Sequence, residues 1–185
     1  MSAYDLPSSL IIGEEAYTIR CGWRAIMDIL IAMNDPELDD PGKMTVMLYI
    51  LYPEAEHIPE AHLEEALQKA CDFIDCGLKD DGKPKPRMID WAQDASLIIP
   101  EVNKVARMEV RLDPNIHWWT FFGWFMGIGD GLFANILSLR QKKAKGKKLE
   151  KWEKDFYKEN RALIDLRTTE TEETRAEKDS ILKYL

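Results

Sequence analysis

His57, His62, Cys71 and Cys76 are the side chains most suited to holding a metal, in the pattern H-x4-H-x8-C-x4-C. That is not a standard finger spacing, and a Cys pair about one helical turn apart needs only packing to explain it. Cys71 falls on the apolar stripe of a predicted helix, where a small hydrophobe is at home. The third histidine, His117, precedes Trp118-Trp119 and would suit a general base. However, no Ser or Cys stands in a strained-turn motif to serve as its nucleophile. Its place is at the start of a helix, with its ring hydrogen-bonded. Gly127-Ile128-Gly129-Asp130-Gly131 is rich in glycine but has no lysine and follows no parallel strand, so it reads as a turn and not a phosphate cradle. Neither a cofactor nor an enzymatic activity is expected.

The remaining chemistry lies in charge and in aromatic rings. Arg140-Gln141-Lys142-Lys143-Ala144-Lys145-Gly146-Lys147-Lys148 opens a stretch ending at Arg161 with 10 basic and 4 acidic residues. Over the 185 residues the net charge is −8, but residues 1–139 carry 11 basic and 23 acidic groups while 140–185 carry 14 and 10. An acidic body of −12 with a basic arm of +4 disfavours nucleic acid as the partner. The arm reads first as a solvated face, and then as a contact to a partner or to the acidic face of another copy. Ile116 to Ile128 holds the densest aromatic run; its roughly 13 residues fall short of the roughly 20 needed to span a membrane. It reads as a core helix or a partner-binding surface, since Trp and Phe dominate interface energetics.

The elements that position these groups follow from periodicity. Leu10 to Ile19 predicts two short strands around a Gly-containing turn. Trp23, Ile26, Met27, Leu30 and Ile31 recur at helical spacing up to Asn34-Asp35-Pro36, where Pro36 cannot continue the helix. Asp39-Asp40-Pro41-Gly42 resembles a helix start, and the nearly continuous apolar run Met44–Tyr52 predicts a buried helix, with a strand as the alternative. Leu63, Ala66, Leu67, Ala70, Cys71 and Ile74 form the next stripe, stopped at Gly77. Lys79 to Pro86 is a turn-rich candidate seam. Asp90 with Gln93 predicts a helix N-cap, with Trp91, Ala95, Ile98, Val102 and Val105 on one face and a kink at Pro100. A short helix Leu132 to Leu139 leads into the basic run. A last amphipathic helix, about 148–164, puts Leu149, Trp152, Phe156 and Leu163 on one side and pairs Glu150 with Lys154. The tail from Arg167 to Ser180 has almost no large apolar residue, so a polar, flexible segment is expected.

The layout is therefore mostly α: a helical core over 1–140 with a short N-terminal β-hairpin and a possible seam at 79–87. A basic linker with the amphipathic helix covers 141–166, and a polar tail covers 167–185. Three scattered Cys fit free thiols in a reducing compartment, and MSAYDLPSSL has no basic region followed by an apolar one, as a secretory leader would.

Ile89-Asp90-Trp91-Ala92-Gln93-Asp94-Ala95, then Ile116-His117-Trp118-Trp119-Thr120-Phe121, the Gly127-Ile128 turn and the Leu139-Arg140 exit together resemble the bacteriophage gene-product-fifteen family of siphophages of Gram-positive bacteria. Tyr17-Thr18-Ile19 followed by Trp23-Arg24, and Asn34-Asp35-Pro36-Glu37, fit its opening pattern. The likeness runs over roughly residues 5–165. It departs at Asn103-Lys104-Val105-Ala106-Arg107, where aromatic and acidic residues are usual, and in the tail after Leu166. The resemblance implies no catalytic residues and a role in tail morphogenesis. Such genes commonly lie between those for the major tail protein and the tape measure protein, where other long-tailed phages encode tail assembly chaperones. The implied partner is the tape measure protein, with a second chaperone, the tail-tube protein and further copies of the chain as other partners. The implied location is the host cytoplasm. The alternative is a minor structural or tail-completion protein of the virion. Trp118, Trp119, Trp124, Phe125, Trp152 and Phe156 are the expected partner-binding residues, with Trp152 preferred because it follows a charged linker. Arg140, Lys142, Lys143, Lys147 and Lys148 are the expected charge-mediated contact.

Overall fold

The computed structural model describes residues 4–78 and 85–167. Most of the predicted seam and all but the first residue of the predicted tail lie outside that range. The chain starts with an antiparallel hairpin, β1 (Ser9–Ile12) and β2 (Glu15–Thr18), in register Ser9↔Thr18 to Ile12↔Glu15. Gly13, at φ +60°, occupies the first of the two turn positions, where a tight hairpin needs a positive φ. Its alternation places Leu10, Ile12 and Tyr17 inward, while Ile11 stays outside.

Eight helices follow among the described residues. They are α1 (Trp23–Met33), α2 (Asp40–Leu51), α3 (Leu63–Ile74), α4 (Ala95–Ala106), α5 (Trp118–Met126), α6 (Leu132–Ala144), α7 (Lys151–Glu159) and α8 (Arg161–Ile164). The mostly α class with an N-terminal hairpin is as read from the sequence. Helix α1 has the bounds its periodicity predicts, although Ile29 lies in the core and Ile31 does not. Asp39 caps α2 by accepting from Gly42 N at 2.8 Å, with Pro41 in the first turn. The apolar run inside α2 is a helix, as read, but only half of it is buried: Met47, Leu48 and Leu51 face inward while Met44 and Tyr49 face out.

Several local readings need correction. Helix α3 buries Ala66, Ala70 and Phe73, so Phe73 holds the core position expected of Cys71, which is exposed. Gly77 N donates to Asp72 O and Cys76 N to Phe73 O, closing α3 with Cys76 at φ +55°. Asp90 does not start a helix. Its Oδ1 accepts from Ala92 N and Gln93 N in a separate turn, and α4 begins five residues later at Ala95. Pro100, the expected kink position, lies inside α4, which continues through it to Ala106. Helix α6 does not stop at Leu139 but runs on to Ala144, so the boundary expected at 140 falls inside a helix. The last predicted helix is broken at Asn160 into α7 and α8, and Glu150 serves as the N-cap of α7, its N–H donating to Glu153 at 2.8 Å.

The starts of α1 and α5 are stitched together. Trp23 N donates to Ile116 O at 2.9 Å and Trp118 N to Cys21 O at 2.7 Å, across an isolated Gly22↔His117 bridge. Two hydrophobic clusters result. The larger joins the hairpin, α1 to α5 and Phe133; the smaller contains Ile136, Leu139 and Ile164, with Leu97, Leu149, Phe156, Tyr157 and Leu163 against it. Helix α6 contributes to both.

Candidate functional site

Helix α5 carries most of the expected partner-binding residues, and the structure divides them. Trp118 is 1% exposed and Phe121 fully buried, so both are core. Phe121 stacks on Trp23 with centroids 4.7 Å apart and planes at 2°, and Trp118 Nε1 donates to Ile74 O at 2.7 Å. Trp119, Phe122, Trp124 and Phe125 are half-buried. Trp119 Nε1 donates to Phe73 O at 2.9 Å, and Phe125 sits against Trp91 (5.1 Å) and Phe133 (6.1 Å). His117 is the N-cap, as its position predicts: its Nδ1 accepts from Trp119 N at 3.1 Å, while Nε2 lies 3.0 Å from Pro7 O. Both ring nitrogens therefore fix backbone, leaving none to handle a substrate proton.

The outward face of α5 forms one wall of an open groove of about 420 Å³ lined by Leu6, Cys76, Leu78, Trp119, Thr120, Phe122, Gly123 and Met126. Leu6, Leu78 and Met126 are 57%, 61% and 64% exposed. Two further grooves flank the same helix: one of about 430 Å³ with Leu30, Ile74, Trp91 and Phe122, and one of about 360 Å³ with Trp23, Met27, Ile31, Trp91 and Phe121. Contiguous apolar surface of this sort marks interaction sites. Burial raises the Cys76 thiol to about 12, with Asp75 adding to it, so Cys76 is a neutral lining group and not a nucleophile.

Two glycines on α5 and its end make a contrast. A Cβ at Gly127 would stand 3.2 Å from Val105 Cγ1, so a side chain there would press on α4. A Cβ at Gly123 would meet nothing within 4 Å. Glycine inside a helix costs about 1 kcal/mol relative to alanine, and no contact within the described chain compensates that loss at Gly123.

The basic stretch is also divided. Arg140 is not a surface charge: the residue is 5% exposed and its guanidinium makes a buried pair with Asp94 (Nη1–Oδ2 2.6 Å, Nη2–Oδ1 2.8 Å). It also donates to the carbonyls of Ile164 (2.9 Å), Met88 (2.8 Å) and Leu163 (2.7 Å), which engages all five N–H donors. Asp94 Oδ2 accepts from Asp90 N as well. Gln93 grips the chain exit on both sides, donating to Asp165 O and accepting from Arg167 N, each at 2.9 Å. Lys142 pairs with the buried Glu153 at 2.5 Å, and Lys143 with Asp165 and Tyr157. The Lys142 bond, then the backbone N–H of Glu150, hold Glu153 below the usual carboxylate range. Lys145, Lys147 and Lys148 stay exposed, so the free surface charge expected of this run rests on those three. Trp152 projects from α7 at 61% exposure, while Phe156 turns into the smaller cluster.

Among the described residues no group of three or more His, Cys, Asp or Glu side chains could hold a metal, and no helix is long and apolar enough to cross a membrane.

The family model described as Bacteriophage Gp15 protein matches residues 4–166. The chain belongs to that family. No curated protein and no solved structure matches it. Within this Gp15-family chain, the segments that carry the resemblance meet in space: Asp94 of the first binds Arg140 of the last, and Trp91 packs on Trp118 of the middle one. Sequence reasoning missed the Asp94–Arg140 pair, because the partners are 46 residues apart and Arg140 looks like the first member of a solvated run. A signal was present in its position, at the end of the apolar run Ile136-Leu137-Ser138-Leu139.

Proposed function

We propose that this Gp15-family chain is a tail assembly chaperone-like protein that binds the phage tape measure protein and keeps it soluble in the host cytoplasm during tail morphogenesis, without catalysis. The observation that carries the reading is the open apolar groove along α5, with Gly123 bare at its middle. A tape measure protein is long, helical and partly apolar, so a holder needs a groove that receives a helix face and a charged exterior that stays dispersed. At Gly123 a client backbone can approach closely. The groove is shallow and rimmed by Leu6, Leu78 and Met126, which suits many weak contacts that tail-tube subunits can displace. Trp119 and Phe122 are the client-facing aromatics in this reading, whereas Trp118 serves the core.

Co-expression with the tape measure protein tests the groove. Met126→Glu combined with Gly123→Leu fills and charges it while touching no core residue. The expected outcome is at least a tenfold drop in co-purified tape measure protein with helical circular dichroism unchanged. Undiminished capture would remove the groove from consideration. Mass spectrometry of purified virions addresses the role itself: a chaperone is absent or present in traces, and a stoichiometric amount makes the chain a minor structural or tail-completion protein instead.

A further inference from the structure

We propose that α7 of one molecule docks, Trp152 foremost, into the acidic pocket at the hairpin end of a second copy, so that copies join head to tail. The donor surface is an exposed tryptophan at 61% exposure on a lysine-rich helix. Around it Lys147, Lys148, Lys151, Lys154 and Lys158 are exposed and form no ion pair among the described residues, unlike Lys142 and Lys143 one helix earlier. A large exposed aromatic set among lysines has the composition of an interface anchor.

The acceptor surface lies on other elements. Ile12, Gly13, Glu14, Glu15, Tyr17, Pro59 and His62 enclose a pocket of about 410 Å³. Its floor is apolar, with Ile12 and Tyr17 buried, and its rim is acidic. Glu14, Glu15, Glu54, Glu56, Glu60 and Glu64 are exposed, Glu65 is half-buried, and no Lys or Arg occurs from residue 44 to 68. Glu14 and Glu15 line the pocket directly, and Tyr17 Oη donates to Glu15 Oε2 at 3.1 Å. Opposite charges on the two surfaces steer the encounter, and the ring in an apolar floor fixes its register.

The hairpin packs on α3, whereas α7 packs on α8 and the smaller cluster, so each molecule offers both surfaces at once. A contact between two different surfaces of identical molecules is heterologous; unless its rotation closes a ring, it repeats along an open chain. Such a chain is suited to an elongated partner. The contact uses none of the residues of the α5 groove, and it stands or falls separately from client binding.

Sedimentation velocity of the full chain tests the assignment at 50 mM and 1 M NaCl. Concentration-dependent association is expected at low salt, weakened at least tenfold at high salt. Trp152→Ala, Lys148→Glu with Lys151→Glu, and Glu15→Lys with Glu60→Lys should each weaken it at least tenfold with circular dichroism unchanged. Mixing the two charge-reversed variants should restore association, because the native α7 of one meets the native pocket of the other. A chain that stays monomeric, association indifferent to either reversal, or a mixture that fails to recover would each overturn the proposal. Loss on lysine reversal alone would also overturn it, placing another acidic partner, nucleic acid included, on α7. Met126→Glu serves as the control: it lowers tape measure capture and leaves self-association unchanged.

Discussion

The two halves of this molecule are held together by different physics. Around α5 the contacts are rings and aliphatic chains, and the polar atoms there bind backbone carbonyls, as Trp118 and Trp119 do with Ile74 and Phe73. In the arm formed by the end of α6, α7 and α8, the fully buried apolar set shrinks to Ile136, Leu139 and Ile164, and ion pairs join the elements. Non-directional burial tolerates a partner sliding against it, so the α5 side can expose a groove without losing its shape. Directional pairs hold one geometry, so the Lys142–Glu153 bond fixes how α7 sits against α6.

The largest break in that comparison comes from Trp118→Ala, which should destabilise the whole chain by about 3–5 kcal/mol as the cavity lies at the centre of the aromatic cluster. Denaturant midpoints by circular dichroism measure it, and an arm that stays folded while the body unfolds would show the halves to be independent. Arg140→Ala should cost about 3 kcal/mol by leaving Asp94 buried without its cation, with faster amide exchange over 149–166 and little change in α1. Arg140→Met with Asp94→Leu should recover most of the loss; if it does not, the pair fixes geometry as well as charge. Acid should act on the arm before the body. Burial raises the Asp165 carboxyl, but the bonds from Lys143, Tyr157 and Arg161 outweigh it and the net position is below normal; Glu153 is lowered too. A lowered carboxyl stabilises fully above its unfolded value of about 4 and loses that contribution as pH falls through the folded value. Helical signal from the arm should therefore decline below about pH 4 while near-ultraviolet aromatic ellipticity persists. Glu109, held at about 2 chiefly by hydrogen bonds from Arg111, stays ionised until the pH nears that value. The smallest effect has the opposite sign: Gly123→Ala should stabilise the chain by about 0.5–1 kcal/mol. Destabilisation would mean that the position is not open.

Those same two halves differ in how far the sequence discloses them. The hairpin, α1 and α2 announce themselves through alternation, a 3.6-residue period, and the Asp39 cap, because each signal is local. The stretch from Asp90 to Gln93 misleads, since its capping pattern is satisfied by a turn and Asp94 turns its carboxylate away to Arg140. The arm misleads more. A run of Arg and Lys has the same composition whether its members are solvated, as Lys147 is, or buried, as Arg140 is; only the neighbours across 46 residues decide. For the candidate groove, the sequence supplied the aromatic helix but not which ring faces in. Trp118 and Trp119 are adjacent and alike, and their different burial follows from the 100° turn between them, read against α3 and α1.

Helix α6 has a mechanical consequence. Its 13 residues form a rod about 20 Å long with Phe133 near one end, against Phe125 of α5, and Arg140 near the other, locked to the arm. The helix is continuous between those points, so the rod is one stiff element. Phe133 and Arg140 therefore keep a fixed spacing, and the aromatic wall beside the groove shares its scaffold with the arm.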